Sequence, residues 1–319
     1  ACRDGVADRV TGGLPGFSLR TGALVADAAG GVWAACAGGL LAVRRTRLRV
    51  EPVTDCRAVF ERADGSLVVG SPGAVGVIEP AEDAVTRMLG PLAAASVPTA
   101  IVEDPAGRVW VGTQDNFIHR IENGVVVQVT GPAEPFRELR NINALACDAE
   151  GRIWAATANG LAVHEAGSDR FRTVTGDGTT AQLVVIGLAA ERDGGVLAAL
   201  QSRGVERFEA DGRSRPVLAA ADMPGRRSIV FCRDSRGDLW IGGDRGLVRH
   251  SSAAPLLRLA AESGLVDESV RQVDEDRHGR LWIATRSGHL QGLRLADVDR
   301  LARGEVSIVR GSILGPLDG

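Results

Sequence analysis

Short apolar runs, each closed by a glycine-bearing turn, recur along the whole chain. In the last full repeat Val270-Arg-Gln-Val-Asp-Glu-Asp276 alternates loosely, Arg277-His-Gly279 turns, and Leu281-Trp282-Ile283-Ala284-Thr285 is continuously apolar. Alternation predicts a half-buried strand, and a short unbroken run with β-branched residues predicts a fully buried one. A second turn at Ser287-Gly288 follows, matched elsewhere by Gly39, Gly160, Gly204 and Gly246. Third strands such as 246–250 and more variable fourth strands, placed at 306–309 in the last repeat, complete the unit. The apolar slot falls at residues 33, 68, 110, 154, 197, 240 and 282, and all five tryptophans occupy it, with Val68 and Leu197 in the other two. An interval near 42 residues is about the length of one four-stranded propeller blade. The pattern therefore predicts an all-β chain, a seven-bladed β-propeller of four-stranded antiparallel blades. Helical segments of the kind most solenoids need are not expected.

Each repeated residue has a physical reading. Its fullest copy is Asp234-Ser-Arg-Gly237-Asp-Leu-Trp240-Ile-Gly242. The glycines at 30, 65, 107, 151, 194, 237 and 279 suit a positive φ, which costs a residue with a Cβ roughly 1–2 kcal/mol. The acid three positions earlier (Asp27, Asp104, Asp148, Glu191, Asp234, Asp276) suits capping of turn amides. The second repeat has Arg62 there, so its turn is expected to be less regular. The small residue two after the slot (35, 70, 112, 156, 199, 242, 284) lets adjacent blades interdigitate.

Composition narrows the classes. The chain of 319 residues is 45% hydrophobic with 41 glycines, enough for one repeat-built domain spanning 1–319. Residues 1–21 read as a lead-in, and 311–319 as the start of a truncated following segment. No apolar run approaches the ~18 residues of a membrane helix. A net charge of −3 leaves no basic footprint for nucleic acid. All 37 cationic residues are arginine, which a GC-rich genome explains more simply than function does. Five cysteines form no CxxC pair; Cys147 and Cys232 read as small buried hydrophobes, and a Cys36–Cys56 bridge within the first blade finds no support in the sequence alone. The start at Ala1-Cys2 suits a cleaved leader or a fragment boundary.

The phrase Asp-x-x-Gly-x-Leu-Trp-Ile-Gly/Ala-Thr-x-x-Gly resembles the two-component regulator propeller repeat. Its best copies start at Glu103, Asp148 and Asp276, and the lead-in Gly264-Leu265 also suits it. The resemblance covers roughly residues 13–319, more weakly around Val68 and Leu197. It implies the periplasmic sensor region of a membrane-bound receptor, a hybrid histidine kinase or a diguanylate cyclase. The output module, the membrane segment and any homodimer formed through the full-length receptor would lie outside this chain.

Chemistry of the enzymatic kind is sparse. His119, His164, His250, His278 and His289 are isolated, with no HExxH, GxSxG, P-loop or GxGxxG. The acids recur six times, which fits turn capping rather than an active-site pair, and the tryptophans fit packing. No cofactor, metal or catalytic residue is expected. Function should reside where repeats differ, on loops entering the first strand and between the second and third, which open on the same propeller face. The candidates for binding are Gln114, Asn116, Asn141, Asn143, Asn159, Arg203, Arg227, Arg245, Asp267 and Arg286. Amides and arginines facing one funnel suit a small polar or carbohydrate-like ligand. Asn141 and Asn143 stand out because they flank the start of an inner strand with period two. The alternatives are a propeller enzyme of streptogramin-lyase or lactonase type with a channel metal, and a protein-interaction scaffold.

Overall fold

The computed structural model describes residues 24–315, apart from 28–30, 37–38, 45–46, 52–54, 80–86, 94–95, 131–141, 166–170, 175–183 and 228. Seven four-stranded sheets are present, each a meander whose strands pair antiparallel in sequence order. The expected fold class, a seven-bladed β-propeller, is thereby realised. The blades span residues 24–51, 58–91, 98–130, 142–173, 185–219, 230–259 and 270–314. Blades 2 to 5 lie in one compact unit (57–227); blades 1, 6 and 7 lie in the other (1–56 and 228–319).

Within each unit the apolar cores sit between successive blades. Blades 4 and 5 share Trp154, Val163, Val185, Val196 and Phe208. Blades 6 and 7 share Trp240, Leu247, Val270 and Leu281. The chain closes on itself within the second unit, where Leu24, Val32 and Leu41 of blade 1 pack on Trp282, Ala284 and Leu290 of blade 7. Burying such side chains contributes about 1.5–3 kcal/mol each, which is why a blade with two apolar faces needs a neighbour on both sides.

The small position works as expected. A Cβ at Gly112 would lie 2.7 Å from Ile142 Cγ2 of the next blade, and one at Gly242 would lie 2.5 Å from Val270 Cγ1. The first-turn glycines at 65, 107, 151, 194, 237 and 279 all have φ between 69° and 90°; Gly30 lies outside the described residues.

Acid and tryptophan, read separately from sequence, form one device. In all five Trp-bearing blades the indole Nε1 donates to Oδ2 of the aspartate six residues earlier: Trp33 to Asp27 and Trp154 to Asp148 at 2.6 Å, Trp110 to Asp104 and Trp282 to Asp276 at 2.8 Å, and Trp240 to Asp234 at 2.9 Å. The other oxygen receives turn amides, as when Ala106 and Arg108 donate to Asp104 Oδ1 at 3.0 Å. The two blades without Trp are those without the aspartate, carrying Arg62 with Val68 and Glu191 with Leu197. A buried indole N–H needs an acceptor, and a buried carboxylate needs donors.

Three expectations are corrected. The turn at Arg62 is regular, with Arg62 N donating to Ser66 O at 2.8 Å and Gly65 N to Arg62 O at 2.9 Å. Asp64 replaces the missing cap by accepting from Ser66 N at 2.9 Å. The fourth strand of blade 7 is Ser312–Leu314, not 306–309, because the helix Leu295–Ala302 (α1) and a loop intervene. Residues 312–314 pair with 290–292 and so belong to blade 7 rather than to a following segment, and 316–319 lie outside the described residues. The helix is held by Leu295 and Val298 in the blade 6–7 core, and by Asp299, which binds Arg249 at 2.7 Å and Arg236 of blade 6. Cys56 is buried, and the side chain of Cys36 lies outside the described residues. Burial and the neighbouring Asp148 push the Cys147 thiol up to about 11, and burial beside Asp274 pushes Cys232 up further, so both stay protonated.

Candidate functional site

The variable loops are tied together by backbone bonds. In blades 3, 5 and 7 the first residue of the turn after the second strand donates to the residue before the first strand: Gln114 to Val97 at 2.9 Å, Gln201 to Val184 at 3.0 Å, and Arg286 to Ser269 at 2.8 Å. Both variable loops of a blade thus meet at one end of its sheet. The motif threonine locks the turn below: Thr113, Thr157 and Thr285 are fully buried, and their hydroxyls donate to Phe117 O, Gly160 O and His289 O at 2.9–3.2 Å.

Three candidates converge in the unit holding blades 6 and 7. The turn carrying Arg245 is joined to the loop 267–269 by Gly246 N donating to Glu268 O at 2.7 Å, and the turn carrying Arg286 is joined to the same loop at Ser269. At their centre Asp267 accepts from Ser269 N at 2.8 Å and Ser287 N at 3.0 Å. Burial opposes ionisation of Asp267, but these hydrogen bonds outweigh it and hold its carboxyl below the usual carboxylate range. The Ser287 hydroxyl lies 2.8 Å from His289 Nδ1 and 3.1 Å from Thr285 Oγ1. Arg245, Arg286 and Ser287 are exposed. His289 and Ser287 escaped the sequence reading because each is isolated as a motif; only the Thr-x-Ser-x-His alternation after the second strand hinted at them. The first strand of blade 7 shifts register between Val270 and Gln272, beside this cluster.

The hydrogen bonds of this cluster differ from those of an acyl-transfer triad. In an acyl-transfer triad the carboxylate holds the imidazole and the imidazole activates the hydroxyl. Here Asp267 engages Ser287 instead, through its backbone N–H at 3.0 Å. The cluster presents a carboxylate, a hydroxyl, an imidazole and two guanidinium groups on one rim, donors and acceptors in mixed array.

The remaining candidates lie in the unit of blades 2 to 5. Gln114 is exposed, and Asn116 adopts φ 71° to close its turn. Between them Asp115 accepts from Ser96 Oγ at 2.6 Å. Burial opposes its ionisation, but hydrogen bonds from Ser96 and Thr113 prevail and its carboxyl is held low. Beneath it, burial pushes the His119 imidazole down against the pull of Asp115. Asn143 donates from Nδ2 to Val185 O of the next blade at 2.7 Å, a link that Thr99 repeats one blade earlier, to Ile142 O at 2.9 Å. Its amide nitrogen is therefore occupied in joining blades. Arg203 pairs with the nearly buried Glu206 at 2.8 Å, Asn159 N donates to Thr157 Oγ1 at 3.2 Å, and Arg227 is exposed. Asn141 lies outside the described residues.

These features define a class: a seven-bladed propeller whose repeat builds the scaffold and whose turn-end loops carry unlike polar groups. Residues 91–115, spanning the first two strands of blade 3, match the family model for the two component regulator propeller. Among solved structures, the chain is similar to one described as the extracellular domain of a hybrid two component system from B. thetaiotaomicron. The TM-score is 0.68 at 16% identity, covering 84% of this chain and 37% of that one. It is similar to a streptogramin B lyase with a TM-score of 0.70 at 13% identity, covering 86% of this chain and 93% of the lyase. The WD40 propeller domain of Doa1 aligns with a TM-score of 0.66 at 13% identity, covering 86% and 95%. At such identities the shared property is the fold. The chain spans little more than a third of the Bacteroides chain. No curated protein matches it. No helix among the described residues is long and apolar enough to cross a membrane.

Proposed function

We propose that this chain is the ligand-sensing propeller of a bacterial membrane-bound signalling receptor, acting in the periplasm without catalysis of its own. Its ligand is a small polyhydroxylated, carbohydrate-like molecule held at the loop cluster of blades 6 and 7. The observation that carries the reading is the joining of the Arg245, Asp267 and Arg286 loops around Ser287 and His289. Mixed donors and acceptors on a rigid rim suit hydroxyl groups, which both give and take hydrogen bonds. The match to a regulator propeller repeat supports the receptor context. A panel of mono- and oligosaccharides, read by thermal shift, tests the ligand: a binder raises the melting temperature by mass action. Asp267→Asn and Ser287→Ala should each abolish that rise while leaving the unliganded protein folded. If the rise survives both changes, the site is elsewhere.

The likeness to a streptogramin B lyase over nearly its whole length favours an enzyme as the second reading. Incubating the purified chain with a streptogramin B and following cleavage separates the two, since turnover would overturn the non-catalytic reading.

A further inference from the structure

Away from the turn-end loops, blade 7 carries a cleft of about 470 Å³ between its sheet and the loop that follows α1. Arg280 begins the second strand and Thr285 ends it. At about 3.3 Å per residue the cleft therefore lies roughly 17 Å along that strand from the Ser287 cluster. Four of its walls are arginines: Arg280, Arg294, Arg300 and Arg310, against a single lining carboxylate, Asp297.

The cleft concentrates positive charge. Arg280 and Arg294 are direct cross-strand partners, and like charges placed opposite one another are destabilising. Asp297 compensates weakly, standing 3.8 Å from both Arg294 and Arg300. Arg300 also reaches Glu305 at 3.4 Å, a carboxylate that Arg303 already holds at 2.6 Å. Arg280 and Arg310 have no ion pair among the described residues. The Arg280 guanidinium is held over the Trp282 ring, 5.7 Å from its centroid. Its aliphatic stem crosses Gly292, where a Cβ would stand 3.0 Å from Arg280 Cδ. The opposite side of the cleft is apolar: Val306, Val309 and Ile308, the last 54% exposed.

We infer that this cleft is a binding site for a small phosphate or sulfate ester, its oxyanion gripped by Arg280, Arg294 and Arg310 and its organic part laid on Ile308. Planar guanidinium forks match the oxygens of such anions, and the volume is that of a small-molecule pocket. The site is independent of the loop cluster and of the ligand proposed there.

Isothermal titration with phenyl phosphate, phenyl sulfate, inorganic phosphate and phenol tests the assignment. One or both phenyl esters should bind, at least threefold tighter than inorganic phosphate, and phenol should not. The better of the two esters identifies the anion. Arg280→Gln with Arg310→Gln should weaken ester binding at least tenfold, and Ile308→Ser should weaken the ester about threefold while leaving inorganic phosphate unchanged. Ser287→Ala should change neither, which separates failure here from failure of the sensing site. Circular dichroism confirms that each variant is folded. Absence of binding by both esters, equal affinity for ester and inorganic phosphate (an adventitious ion only), or undiminished binding by the double arginine variant would overturn the proposal.

Discussion

Replacing Asp104 by alanine removes the acceptor at the centre of one Asp–Trp latch. In the intact blade Asp104, 3% exposed, accepts from Trp110 Nε1 at 2.8 Å, from Arg108 Nε at 2.7 Å, and from the amides of Ala106 and Arg108 at 3.0 Å. The amides and the Arg108 guanidinium sit near the surface and regain water, so each lost bond costs about 0.5–1 kcal/mol. Trp110 is fully buried, so leaving its N–H without Asp104 costs about 1–3 kcal/mol. The sum should be about 2.5–6 kcal/mol, read as a fall in the urea midpoint at constant m value. A double-mutant cycle isolates the latch. Trp110→Phe keeps the ring and deletes the donor, so Asp104→Ala in that background should cost about 1–2 kcal/mol less. A loss below about 0.5 kcal/mol in the single variant, or strict additivity in the cycle, would refute the reasoning.

Other consequences follow from the same structure. Asp299→Ala strips the buried Arg249, 5% exposed, of its 2.7 Å partner and frees α1 from blade 6, so stability should drop by about 2–3 kcal/mol in thermal or chemical denaturation. Gly242→Ala drives a Cβ to 2.5 Å from Val270 and should cost about 1–3 kcal/mol by overpacking. The His119 imidazole is pushed down by burial despite Asp115. The unfolded chain then binds a proton that the folded one refuses, so stability is present above about pH 6.5 and declines as pH falls below it; His119→Gln should remove that step from a melting-temperature profile. Asp104 is held low because, although burial raises it, the hydrogen bonds from Trp110 and Arg108 prevail. Its contribution is present above about pH 4 and lost on further acidification, and Asp104→Asn should flatten the acid limb of the same profile.

Much of this protein was legible in one dimension. A strand's apolar face, a positive-φ glycine and a small residue opposite a large one are local demands, repeated seven times, so periodicity alone specifies blade number, strand order within a blade and the packing role of Trp240 or Gly242. The deviations at Arg62 and Glu191 could be seen as well, but not their meaning: that acid and tryptophan vary together became clear once Nε1 and Oδ2 were found in contact. Other facts depend on residues that are remote in sequence. Asn143 and Arg203 looked like free loop groups until their partners, Val185 O in the next blade and Glu206 in the next strand, came into view. Arg245, Asp267 and Arg286 were picked out singly, and only the hydrogen bonds from Gly246 to Glu268 and from Arg286 to Ser269 made them one cluster with Ser287 and His289. The α1 insertion and the late fourth strand escaped the pattern because edge strands carry the weakest periodicity. Repetition encodes what each blade must do by itself; a binding site is built from what neighbouring loops do differently, and their meeting is a property of the tertiary structure.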